Sequence, residues 1–158
     1  MDLNDWILAL HLISAFALIA AEVAFSIMVV ALWRSDSPSR VASTMSLARV
    51  GAVLVMLGIT GTIVFGVWLA ISLDAYQLWD GWVIVALVLW ALGGYLGQQS
   101  GVAYQAGGEL AQKLAAEGTT QSPELAATFG PSRAFWLHLA TLVVVVLIVV
   151  DMIWKPGA

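Results

Sequence analysis

The chain has 158 residues, enough for one domain, yet 61% are apolar and only 10% are charged, against about 25% charged in soluble chains. A soluble domain of this size has too little interior to hide that much apolar surface, so the composition excludes a water-soluble fold and makes lipid the solvent. A net charge of −4 without a basic run excludes a nucleic-acid partner, and the lack of cysteine excludes disulfides, thiolate metal sites and cysteine nucleophiles.

The opening Met1-Asp2-Leu3-Asn4-Asp5 is acidic where a cleavable signal is basic, so the first apolar stretch reads as a retained span. A helix needs about 20 apolar residues to cross the hydrocarbon, and four segments reach that length. The first, about 6–33, runs from Trp6 to Trp33 and is interrupted only by His11, Ser14, Glu22 and Ser26. The second, about 50–73, carries no charge. The third, about 81–103, begins at Gly81 and turns polar after Gly97. The last, about 134–154, holds one acid, Asp151. Such unbroken apolarity, in place of a single apolar stripe, predicts an all-α integral membrane four-helix bundle forming one domain over 1–158.

Between the last two spans lies a loop, about 104–133. Its first part reads as a continuation of the third helix, stopped at Gly118. Ser122-Pro123-Glu124 has a capping serine and a proline at the first helical position, which predicts a short helix ended by Gly130-Pro131. Ser132 is placed to cap the fourth span. The result is a short cytoplasmic helical collar.

Arginine and lysine near span ends mark the cytoplasmic side. Arg34, Arg40 and Arg49 lie in the first loop and Lys113 and Arg133 in the third, leaving Lys155 as the one base opposite. Asp2, Asp5, Asp74 and Asp80 fall on that opposite side. The chain is therefore expected in a bacterial cytoplasmic (inner) membrane with both termini outside. Tryptophan favours membrane interfaces: Trp6, Trp68, Trp79, Trp82 and Trp154 fall at the outer one, and Trp33 and Trp136 at the inner. Trp90 alone lies deep.

Helices in lipid associate through close packing at small residues. Gly93, Gly97 and Gly101 recur every four residues on the third helix, as do Gly58, Thr62 and Gly66 on the second. Packing within one bundle is the leading expectation. A homodimer, or a place in a larger membrane complex, is the alternative.

Ionisable residues inside a span are costly and invite a functional reading. At about 1.5 Å per residue, Glu22 lies about 4 Å to the cytoplasmic side of the first helix's middle and His138 about 10 Å to the same side. His11 lies roughly 13 Å to the outer side. Two histidines suggest haem b, yet one iron requires both nitrogens within about 2 Å, while these depths differ by roughly 20 Å. Each histidine instead remains a separate candidate cofactor ligand. Ser26 and Thr141 share faces with Glu22 and His138, and Thr60, Tyr95 and Gln98 fall at related depths. A buried polar cluster of Glu22, Ser26, Thr60, Tyr95, Gln98, His138 and Thr141 is the most specific expectation. It serves either as a hydrogen-bonded lock between helices or as a proton, ion or cofactor site. Asp151 and Lys155, four residues apart, are expected to form a helical ion pair.

No phosphate-binding loop, Ser-His-Asp set or zinc-helix motif occurs, so an enzyme is not expected. The opening Leu8-Ala9-Leu10-His11-Leu12-Ile13-Ser14-Ala15 and the ending Val150-Asp151-Met152-Ile153-Trp154-Lys155-Pro156-Gly157 resemble a bacterial family of predicted four-helix membrane proteins of unknown function. The opening also resembles copper-resistance D-type membrane proteins and four-helix haem-binding relatives. Those often have a Trp-Gly-Gly stretch where this chain has Ile19-Ala20-Ala21-Glu22-Val23. The resemblance implies architecture. The functional expectations are an accessory, assembly or small-solute transport component, a haem b or quinone-linked redox protein, or a proton-coupled transporter using Glu22.

Overall fold

A computed structural model describes residues 2–73 and 76–156, without the Arg49 side chain. Asp74 and Gly157 of the expectations above, and the charged end of Arg49, lie outside the described residues. Five helices follow in order: α1 (Leu3–Trp33), α2 (Pro38–Ser72), α3 (Gly81–Ala116), α4 (Pro123–Phe129) and α5 (Arg133–Trp154). Four helical segments are long and apolar enough to cross a membrane. The chain is thus an all-α, four-helix membrane bundle.

Local chemistry sets the helix ends. Asp2 and Asp5 cap α1 reciprocally, each accepting the other's backbone N–H at 2.9 Å. Pro38 opens α2 and Pro123 opens α4, where proline's missing N–H costs nothing. The Ser122 hydroxyl accepts the Leu125 N–H at 3.3 Å. Past α3, Gly118 takes φ +77, a left-handed turn that suits glycine. The helices α2 and α3 extend beyond their apolar cores, to Pro38 and Ala116, because nothing in the polar flanks breaks them.

The long helices pack as two close pairs, α1 with α2 and α3 with α5; α2 and α3 join the pairs, while α1 and α5 approach each other little. One end of the bundle holds the start of α1, the end of α5 and the α2–α3 turn, and is called the terminal end. The other, the collar end, holds the α1–α2 turn and α4. Large apolar side chains such as Ile13, Phe16, Ile27, Met56 and Val146 point outwards, at 60–68% exposure, which only lipid tolerates.

Glycine governs the approach within the pairs. A Cβ on Gly58 would lie 3.0 Å from the Leu18 backbone nitrogen, and one on Gly93 would lie 3.1 Å from Val144. Gly97 faces Thr141, whereas Gly101 meets nothing within 4 Å. Gly58, Gly66, Gly93 and Gly97 therefore contact neighbours inside this bundle, and Gly101 does not. A different kind of core sits at the collar end. There Leu125 and Phe129 of α4 are fully buried against Val29, Leu32, Val41, Met45, Tyr104 and Ala111. Among the described residues, side chains here interlock as in a soluble protein.

Trp6, Trp68, Trp79 and Trp154 are exposed around the terminal end, and Trp33 and Trp136 around the collar end. Trp82 departs from the belt: it is buried, edge-on to Tyr76 at a ring separation of 5.2 Å. Nor is the Asp151–Lys155 pair made. Lys155 caps α5 in the left-handed conformation, and its ammonium donates to Tyr76 Oη at 2.6 Å. That turn of the backbone carries the lysine off the face that Asp151 occupies, leaving Asp151 Oδ2 buried without a hydrogen-bond partner among the described residues.

Candidate functional site

The polar residues that meet inside the bundle do so at the α1–α5 seam. Glu22 and Ser26 stand one turn apart on α1, and His138 projects from the second turn of α5. The Ser26 hydroxyl donates to the Glu22 backbone carbonyl at 2.8 Å and lies 3.0 Å from His138 Nε2. Serine has one hydroxyl hydrogen, and that bond uses it. Nε2 must therefore carry the hydrogen in its own bond to Ser26. His138 Nδ1 is left to face Glu22 Oε2 at 3.9 Å, within ion-pair range but longer than a hydrogen bond. Both side chains are shielded, with 7% of His138 and 13% of Glu22 accessible.

This arrangement fixes where a proton can go. With Nε2 occupied, Nδ1 is the imidazole atom that gains or loses one, and Glu22 is the group opposite to exchange it. The alternatives are a carboxylic acid beside a neutral imidazole, or a carboxylate beside an imidazolium. Moving between them transfers one proton from the carboxyl to Nδ1 with no net uptake, and loss of that proton from the pair leaves a carboxylate beside a neutral imidazole.

Aromatic rings close the site towards the collar. Phe25 packs edge-on to His138 at 5.1 Å and to Tyr104 at 5.6 Å, and Tyr104 stacks on Phe129 at 5.8 Å and 2°. Nearby, Ser100 ties α3 to α5 by donating to the Ala134 carbonyl at 3.2 Å. Sequence reasoning missed these residues. Phe25 lies three residues from Glu22, so its shared face was visible in the spacing; Ser100 and Phe129 gave no such signal.

The remaining expected members stand apart. Thr141 is buried one turn from His138, but its hydroxyl donates to the Leu137 carbonyl at 3.0 Å. Thr60, Tyr95 and Gln98 are exposed on the outer surface of the bundle. The reason is azimuth. Tyr95 follows Gly93 by two residues, about 200° round the helix, so it points away from the α5 contact. Thr60 bears the same relation to Gly58 and the α1 contact.

His11 belongs to a second locality. Its Nδ1 donates to the Thr62 carbonyl of α2 at 3.0 Å, and its ring lies over Gly66, where a Cβ would come within 2.9 Å of Cε1. It lines a cavity of about 350 Å³ in the terminal half of the bundle, walled by Tyr76, Trp82 and Trp90 among others. The two histidines thus occupy opposite halves, and both ring nitrogens of His138 already face protein groups. Among the described residues, no three His, Asp or Glu side chains cluster as metal ligands.

No curated protein and no solved structure matches this chain. One family does, described as predicted integral membrane protein (DUF2269), over residues 5–156. That match covers the whole bundle, from the first turn of α1 to the end of α5. The chain belongs to this family of predicted integral membrane proteins.

Proposed function

We propose that this protein is a multi-pass component of the bacterial cytoplasmic membrane, with both termini outside, in which Glu22 and His138 bind and release a proton. It serves a proton-linked accessory or small-solute transport role, alongside partner proteins in the membrane. Four helices without inverted repeats are too few for a complete transporter of the usual kind.

The observation that supports this reading is the 3.9 Å approach of Glu22 Oε2 to His138 Nδ1, with Ser26 holding the opposite nitrogen. A helix lock needs only a hydrogen bond, which serine or asparagine supplies. An acid facing a base of fixed tautomer supplies proton exchange as well. The test is infrared difference spectroscopy of the protein in lipid, titrated from about pH 4 to about pH 9, a range that brackets free carboxyl and imidazole groups. A protonated-carboxyl band that responds to pH and vanishes in Glu22→Gln is expected. A band that ignores pH throughout would reduce the pair to a structural lock.

A further inference from the structure

The cavity in the terminal half has a chemistry of its own, independent of the Glu22–His138 site. Its walls come from all four long helices and are almost wholly apolar, with the rings of Tyr76, Trp82 and Trp90 prominent. Its volume of about 350 Å³ falls at the lower end of small-molecule pockets, about 300–1,000 Å³. That is room for one ring-sized head group. Leu8 and Leu12 line the cavity and are also 46% exposed on the bundle's surface, so its rim is shared with the lipid. They stand on α1, which approaches α5 little.

The polar equipment of this cavity selects among lipophiles. His11 donates through Nδ1 to the Thr62 carbonyl, so its Nε2 is an acceptor. An acceptor lone pair repels a carboxylate or phosphate and welcomes a hydroxyl. Lys155, on another wall, is held by Tyr76 Oη at 2.6 Å and lies 4.2 Å above that ring and 5.2 Å from the Trp82 ring, keeping ammonium N–H groups free to donate. Flat aromatic walls favour a flat aromatic guest, which can stack or pack edge-on against them.

From these features we infer that the cavity binds a hydroxylated aromatic ring on an apolar tail, the chemistry of a membrane quinol. One ring hydroxyl donates to His11 Nε2, another ring oxygen accepts from Lys155, and the tail leaves past Leu8 and Leu12 into the bilayer. This is a binding site, and no electron transfer is invoked.

The experiment measures decylubiquinol retained, under anaerobic conditions, by lipid nanodiscs with and without the protein. Saturable excess retention of one quinol per chain is expected. His11→Phe removes the acceptor and should weaken binding by about tenfold, the loss of one hydrogen bond. Leu12→Trp adds bulk at a lipid-exposed rim, where folding tolerates it, and should weaken binding while leaving every polar group in place. Glu22→Gln should bind as wild type, separating this site from the proton site. No excess over empty discs would overturn the inference. So would wild-type retention by both His11→Phe and Leu12→Trp. Displacement by oleate at equal concentration, abolished by Lys155→Met, would overturn it in favour of an anionic-lipid site.

Discussion

Glu22 on α1 and His138 on α5 face each other at 3.9 Å across the seam where their helices otherwise stay apart. The pair therefore joins the two halves of the bundle. Truncating either residue leaves its partner shielded without a counterpart, which costs about 1–3 kcal/mol. Glu22→Ala and His138→Ala should each destabilise by that order. The double variant should lose less than their sum, by about 0.5–2 kcal/mol, as contacting residues do. Unfolding in mixed micelles with rising dodecyl sulfate, followed by circular dichroism, measures all three. Strictly additive losses would show that the two side chains do not act together.

Glycines at the helix contacts divide into two classes. Gly58 abuts the backbone of Leu18, which has no flexible end to move aside, so a methyl there must push α1 from α2. Gly58→Ala should cost about 1–3 kcal/mol as an overpacking change. Gly94 meets nothing within 4 Å and stands exposed on α3. Gly94→Ala should be neutral or gain up to about 1 kcal/mol from helix propensity. The same dodecyl sulfate titration ranks the two, and equal effects would mean that the α1–α2 approach is looser than described.

Which parts of this could be seen in the sequence follows from the physics of spans. Length and depth were legible, because about 1.5 Å per residue along a helix turns numbering into height. That ruler brought Glu22, Ser26 and His138 to one level and separated His11 from them. Helix ends were legible where a cap spelled them out, at Ser122-Pro123 and at Ser132. Azimuth was not. A helix apolar on every side has no stripe to say which face turns inward. Tyr95, Gln98 and Thr60 share the cluster's depth yet face outwards. The glycines held the missing information, since Gly93 and Gly97 mark the face of α3 that meets α5. Lys155 was misread for another reason: pairing it with Asp151 assumes that the helix continues, and the left-handed turn ends it.

The collar is held by two side chains with no exposure, Leu125 and Phe129. Phe129 stacks on Tyr104 and fits over Gly107, where a Cβ would come within 2.8 Å of its ring. Phe129→Ala should remove about 3–5 kcal/mol of packing, the usual cost of emptying a buried phenylalanine site. A seven-residue helix has too few internal hydrogen bonds to persist alone. Amide exchange across 124–129 should therefore rise to the rate of an open loop, while α1 and α2 keep their protection. Unchanged protection of α4 would show that Leu125 alone suffices to dock it.

The proposed orientation makes the last prediction, and the composition makes it easy to test. The chain has no cysteine, so any cysteine introduced is the sole thiol. Ser39 and Thr120 are exposed at the collar end, and Leu78 is 39% exposed in the turn at the terminal end. Arg34, Arg40, Lys113 and Arg133 flank the collar end, and Lys155 is the single base at the other. In the proposed orientation, which follows the positive-inside rule, the collar faces the cytoplasm. A membrane-impermeant maleimide added to intact spheroplasts should label Leu78→Cys and leave Ser39→Cys and Thr120→Cys unmodified. Inside-out vesicles should give the reverse. Labelling of Ser39→Cys from outside would invert the topology. The cavity holding His11 would then open into the inner leaflet, and the Glu22–His138 pair would lie nearer the outer one.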